Sequence, residues 1–167
     1  MQEKQKLGSD HPDTLCSMGN LASTYMDQGR WDEAEKLFVQ VVNARKAKLG
    51  FDHPKTLSSM AKLASTYRNQ GSWDEAEKLF VEVMNARKAR LGSDHPDTLI
   101  SMANLSFLYG RQSRLDEAHS LLSHAVKTMQ EVIGPQHPTV LHCIKQFDKI
   151  LKEKEHKEHQ EMVCHAC

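Results

Sequence analysis

Four histidines stand where proton transfer or metal chemistry could be read into the chain. His11 follows Asp10 and precedes Asp13 in "LGSDHPDTL", and an Asp beside a His can move protons or hold a cation. The pattern returns as "LGFDHPKTL" around His53, as "LGSDHPDTL" around His95, and loosely as "IGPQHPTVL" around His137. A catalytic dyad is placed once, in one pocket. This one recurs every 42 residues and survives replacement of its Asp by Gln136. Copies one repeat apart cannot share a metal. The recurrence therefore makes His-Pro a joint that ends a loop and opens a helix.

The second set of chemical side chains is in "HKEHQEMVCHAC", where His156 and His159 precede Cys164 and Cys167. A His-x-x-His followed by Cys-x-x-Cys supplies four zinc ligands. No second well-spaced pair inside a folded knuckle accompanies them, so the segment is expected to be a disordered tail, with these four as secondary metal candidates. Cys164-His165-Ala166-Cys167 has the length of a prenylation box, but His165 and Cys167 depart from its pattern. No phosphate-binding Gly-rich loop, Gly-x-Ser-x-Gly elbow or His-Glu-x-x-His is present. The expectation is a protein that is not an enzyme and needs no cofactor.

Composition narrows the partners. Lys+Arg and Asp+Glu cancel at 22 each, so no global field draws the chain to nucleic acid or to an acidic membrane. "MQEKQKLGSD" has no apolar signal-peptide core, and no stretch approaches a membrane span. Cys16, Cys143, Cys164 and Cys167 are too few and too uneven for a disulfide framework. These features point to a cytoplasmic protein.

The elements that hold these residues come from the repeat. Units are expected at 7–48, 49–90 and 91–132, followed by a half repeat or capping helix at 133–155 and the tail at 156–167. The first two share "STY", "QG", "WDEAEKLFV" and "NARKA" in register, and the third drifts. Each complete unit reads as two helices. Leu15, Met18, Leu21, Ala22 and Tyr25 keep the spacing of one helical face, with Pro12 in the first turn and Gly29 as a left-handed stop. The second helix, from about Asp32, carries Ala34, Leu37, Phe38, Val41 and Val42 and ends at Gly50. Ala22, Ala34, Ala64, Ala76 and Ala118 are expected to let paired helices approach closely, and Tyr25, Tyr67, Phe38 and Phe80 to fill the space between pairs. Strands are excluded, because no run alternates with period two. Helix pairs with one apolar face each bury a core only by stacking on neighbours.

Leu21-Ala22-x-x-Tyr25 with Ala34 and Phe38, and Leu63-Ala64-x-x-Tyr67 with Ala76 and Phe80, resemble the tetratricopeptide repeat. The 42-residue unit, its "LGxDHPxTL" linker and its "NLAxxYxxQGxWxEAExL" body are similar to the kinesin light chain variety, also seen in fungal NLR-type proteins. The resemblance implies an all-α, right-handed α-solenoid of helix-turn-helix repeats with a C-terminal capping helix. It also implies that first helices line a concave groove. The groove positions are then Asn20, Ser23 and Asp27 in unit one, and Lys62, Ser65 and Asn69 in unit two. Asn104, Phe107 and Arg111 follow in unit three, and Lys145, Gln146 and Lys149 in the half repeat. An Asn at the Asn20 position contacts peptide backbone in related arrays, since an amide both donates and accepts. Asn20 and Asn104 keep it, while Lys62 and Gln146 depart.

The expected function is a non-catalytic adaptor that binds a protein or peptide segment, acidic in character because Lys62, Arg68, Arg111, Lys145 and Lys149 make the C-terminal part of the groove basic. Neither nucleic acid nor membrane is an expected partner. The alternative is a structural or oligomerisation fragment of a larger NLR-type sensor array. Residues 2–6 align with 44–48 at the end of a second helix, so that reading treats 1–6 as the remnant of a preceding helix and lets the N-terminal repeat end self-associate. Asp148 stands at the small-residue position of Ala22 and Ala64, tolerable where no second helix packs.

Overall fold

The computed structural model describes residues 8 and 10–165, and the side chains of these except at 153 and 157–165. Seven helices are described: α1 Pro12–Asp27, α2 Trp31–Leu49, α3 Pro54–Gln70, α4 Trp73–Leu91, α5 Pro96–Arg111, α6 Leu115–Ile133 and α7 Pro138–His165. No strand occurs among the described residues. The chain divides into two compact units, Met1–Leu79 and Phe80–Cys167, with the division inside α4.

Each first helix starts the same way. The backbone at His11, His53 and His95 is extended, and a proline occupies the first helical turn, where its missing N–H costs no hydrogen bond. The imidazole caps the helix: Nδ1 accepts the N–H two residues on, from Asp13 at 3.2 Å, Lys55 at 3.1 Å and Asp97 at 3.1 Å. His137 does the same for Thr139 at 3.2 Å. An orphan donor of the helix N-terminus is satisfied each time.

The turn between paired helices also recurs. Arg30 N–H reaches back to the Tyr25 carbonyl, Ser72 to Tyr67 and Arg114 to Tyr109, all at 2.9 Å. This closure needs a left-handed residue, supplied by Gly29 and Gly71 at φ 74° and 87°. In the third repeat Ser113 takes that role at φ 61°, the one non-glycine among the described residues with positive φ.

In the first unit α2 packs against both α1 and α3. Phe38 is 1% exposed between them, and Ala22, Ala34 and Ala64 are wholly buried, as close helix approach demands. Burying a side chain the size of Phe38 is worth roughly 1.5–3 kcal/mol of transfer free energy. In the second unit α6 packs against α5 and α7, and Leu105, Leu108, Leu122 and Met129 are buried.

Tyr25 and Tyr67 depart from the expected core role, whereas Tyr109 is buried. Tyr25 is half-buried and its ring lies 4.1 Å under the Arg30 guanidinium, as the Tyr109 ring lies 3.9 Å under Arg114. Tyr67 is half-buried as well, whereas Phe38 and Phe80 are each 1% exposed. Leu21 is also displaced from the core: it is 46% exposed, against 5% for Leu63 at the matching position. In the first unit α2 lies against α3, whereas no described helix precedes α1.

The end of the chain differs too. Helix α7 continues to His165, through residues 156–165 where a disordered tail is expected. Asp148 is exposed, whereas Ala22, Ala64 and Ser106 at equivalent positions are buried. The helical remnant expected at 1–6 lies outside the described residues, as do the side chains of His159, Cys164 and Cys167.

Candidate functional site

The cap geometry decides the question raised by the Asp-His pairs. A histidine oriented by a carboxylate donates from Nδ1. Here Nδ1 accepts a backbone N–H and therefore carries no proton. The Asp13 carboxylate lies 3.7 Å from that nitrogen, but the pair is not an ion pair for the same reason. All four histidines serve helix starts.

Of the groove positions expected in the first unit, Asn20 and Lys62 line one hollow. Cys16 and Asn20 on α1 are one turn apart and face Lys55, Ser58 and Lys62 on α3 across a hollow of about 320 Å3. The Lys62 ammonium donates to the Ser23 hydroxyl at 3.1 Å, linking two expected groove residues on different helices. Ser65 does not take part, since its hydroxyl donates to the Ala61 carbonyl of its own helix. Asp27 and Asn69 are exposed at the other end of α1 and α3.

Two cationic residues of this hollow were not among the expected groove positions. Lys55 sits in the first turn of α3, and Arg45 reaches in from α2. The Arg45 guanidinium donates from Nη1 to the Ser59 hydroxyl at 2.6 Å and to the Lys55 carbonyl at 3.2 Å. Its Nη2 lies 3.9 Å from the Cys16 sulfur. Both strong acceptors are neutral, so the charge is held in place without being neutralised. The hollow thus collects Arg45, Lys55 and Lys62, and no carboxylate lines it among the described residues. Elsewhere on the chain cations meet acids: Arg30 with Glu33 at 2.8 Å, Arg114 with Glu117 at 2.6 Å, Lys154 with Asp116 at 2.8 Å.

The signal for Arg45 was present in the sequence. An Arg in "NARKA" precedes a Ser by 14 residues twice, as Arg45 with Ser59 and Arg87 with Ser101. The second pair makes the same bonds: Arg87 Nη1 donates to Ser101 Oγ and to the Asp97 carbonyl, each at 3.0 Å. Arg87 is 8% exposed, and burial pulls its guanidinium below its ordinary pKa against the opposing effect of Asp97.

In the second unit Phe107 and His142 meet edge to face, with ring centroids 5.9 Å apart. Arg111, Lys145 and Lys149 are assigned to the same groove by position; Arg111 is exposed, and Asn104 is half-buried. Among the described residues no group of three or more His, Cys, Asp or Glu could hold a metal ion, and His156 is exposed. No described helix is long and apolar enough to cross a membrane.

The tetratricopeptide repeat family model matches residues 3–47, 13–89 and 55–131, and the chain belongs to that family. It is similar to a crystal structure of a Podosopora anserina protein described as a kinesin light chain with nearly identical TPR-like repeats. That structure is of a singly substituted form; the identity is 31%, over 95% of this chain and 76% of that one, with a TM-score of 0.74. A second structure from Podosopora anserina carrying the same description matches at 30% identity with the same coverage and a TM-score of 0.72. BtubC (BKLC) from P. vanneervenii shares the fold at 17% identity, over 99% of this chain and 69% of that one, with a TM-score of 0.70. No curated protein matches. The fold class is an all-α solenoid of helical repeats, and the chain is a protein-interaction repeat module, a scaffold type that is generally non-catalytic.

Proposed function

We propose that the chain is an adaptor that binds an extended, acidic peptide segment of a partner protein along its first helices. The observation that carries this reading is the α1–α3 hollow, where Asn20 and Lys62 face one space with a cationic lining. A side-chain amide can pair with both the N–H and the C=O of an extended peptide, while the cations select its charge. Similarity to kinesin light chain-type repeat proteins supports a binding role.

The test is fluorescence anisotropy with a labelled decapeptide pool rich in Asp and Glu, against a pool with Asn and Gln in their place. The acidic pool is expected to bind, and to weaken by about tenfold with Lys62→Glu or Asn104→Ala. Unchanged binding in both variants, with helical circular dichroism intact, would sink the proposal.

A second reading is favoured by Leu21, which is 46% exposed where Leu63 is 5% exposed. It assigns the outer face of α1 to contact with a second copy of the chain. Sedimentation at rising concentration tests it: a strict monomer rules it out, and Leu21→Glu should abolish any association found.

A further inference from the structure

Resting on the acidic-peptide reading, we propose that the α1–α3 hollow is a phosphate subsite that takes a phosphoserine or phosphothreonine side chain of the bound peptide. Three observations lead there.

First, the joint between repeats does not need this cluster of charge. Arg87 makes the same two bonds as Arg45, yet the positions matching Lys55 and Lys62 hold Asp97 and Asn104. The two lysines are therefore additional to packing; Lys55 and Lys62 are both exposed at the edge of the hollow.

Second, the guanidinium is preorganised and still charged. The Ser59 hydroxyl and the Lys55 carbonyl fix its plane through Nη1, and Ser59 is itself held by donating to that carbonyl at 2.8 Å. The Lys62 ammonium donates to a neutral partner, the Ser23 hydroxyl, which an anion replaces at little cost.

Third, the guanidinium of Arg45 meets α3 between the two lysines. Those two are two turns apart, about 10 Å along the axis. Flexible lysine stems from both sides can close on a group seated at the guanidinium. A phosphomonoester brings nearly two charges and three acceptor oxygens to such a site, where a carboxylate brings one charge and two. The hollow of about 320 Å3 is lined also by Asn20 and Ser58.

The experiment uses the full chain and three degenerate decapeptide pools, identical except for a central phosphoserine, serine or aspartate. The phosphoserine pool is expected to bind about tenfold more tightly than the aspartate pool, and Lys55→Gln with Lys62→Gln to remove that advantage. Lys62→Arg should retain it, because the charge is kept. Equal binding of the aspartate and phosphoserine pools overturns the phosphate subsite and leaves the acidic-peptide reading standing. Loss of both overturns both. An advantage that survives the double lysine variant also overturns the proposal, since the phosphate is then bound elsewhere. Vesicles containing phosphatidylinositol phosphate provide the last arm. Binding to them that outcompetes the phosphoserine pool overturns the peptide assignment and gives the site to a lipid headgroup instead.

Discussion

Arg87 on α4 and Ser101 on α5 are joined by a 3.0 Å hydrogen bond, and the matching positions one repeat later are Met129 and Cys143. Both of those are buried, at 0% and 2% exposure. A charged seam and an apolar seam thus occupy the same place in successive repeats. Arg87→Ala should destabilise by about 2–4 kcal/mol, because a buried group loses its partner and a cavity opens. Arg87→Met with Ser101→Cys should recover most of that loss, since a well-packed apolar pair can replace a buried charge. Urea unfolding of the single and double variants measures both. Additive losses in the double variant would refute the equivalence of the two seams.

Thr56 and Thr98 are fully buried, and their hydroxyls have no hydrogen-bond partner among the described residues. The same position in the half repeat is Val140, also fully buried. Val keeps the shape and removes the unsatisfied hydroxyl. Thr56→Val and Thr98→Val are therefore expected to be neutral or to stabilise by up to about 1 kcal/mol. A loss of more than about 1 kcal/mol in thermal or urea unfolding would show that each hydroxyl has a partner after all.

Ser113 holds the left-handed turn that Gly29 and Gly71 hold in the earlier repeats. Ser113→Gly removes a side-chain penalty but adds unfolded-chain freedom, so a net gain of about 0.5 kcal/mol is expected. Gly71→Ala should lose about 1 kcal/mol. Thermal unfolding of the two variants should move in opposite directions.

Glu33 and Glu117 are held below the ordinary glutamate range, in each case chiefly by the hydrogen bond from Arg30 or Arg114. A depressed folded-state pKa adds stability above the unfolded pKa, which is lost as pH falls through the folded value. Carboxyl carbon shifts in an NMR pH titration should place both transitions below the usual glutamate range. Arg114→Ala should return Glu117 to it and leave Glu33 unchanged.

The helical fold was legible because its signals repeat: apolar spacing, His-Pro starts and glycine stops recur at one interval, and each copy checks the others. The fate of the tyrosines was not legible. Tyr25 and Tyr109 each have an arginine five residues on, and only the folded turn shows that the guanidinium covers the ring. The groove assignments on Asn20, Ser23 and Lys62 follow from position along the first helix; in the folded chain Asn20 and Lys62 line one hollow and Lys62 bonds Ser23. Arg45 escaped because it belongs to a second helix. A face-by-face reading of first helices has no place for a side chain that crosses from α2, although its 14-residue spacing to Ser59 was visible.

The arginine-to-serine seam bears on how such a chain can change its length. Arg45 and Arg87 present the same donor, and Ser59 and Ser101 the same acceptor. Excising 42 residues in register would leave Arg45 to meet Ser101, and inserting a copy would create another identical seam. Unequal exchange between such similar segments therefore yields chains that still fold, with more or fewer binding surfaces. The Met129–Cys143 seam is the exception. It carries neither partner of the charged pair, so a copy inserted there would not reproduce the arginine–serine bond.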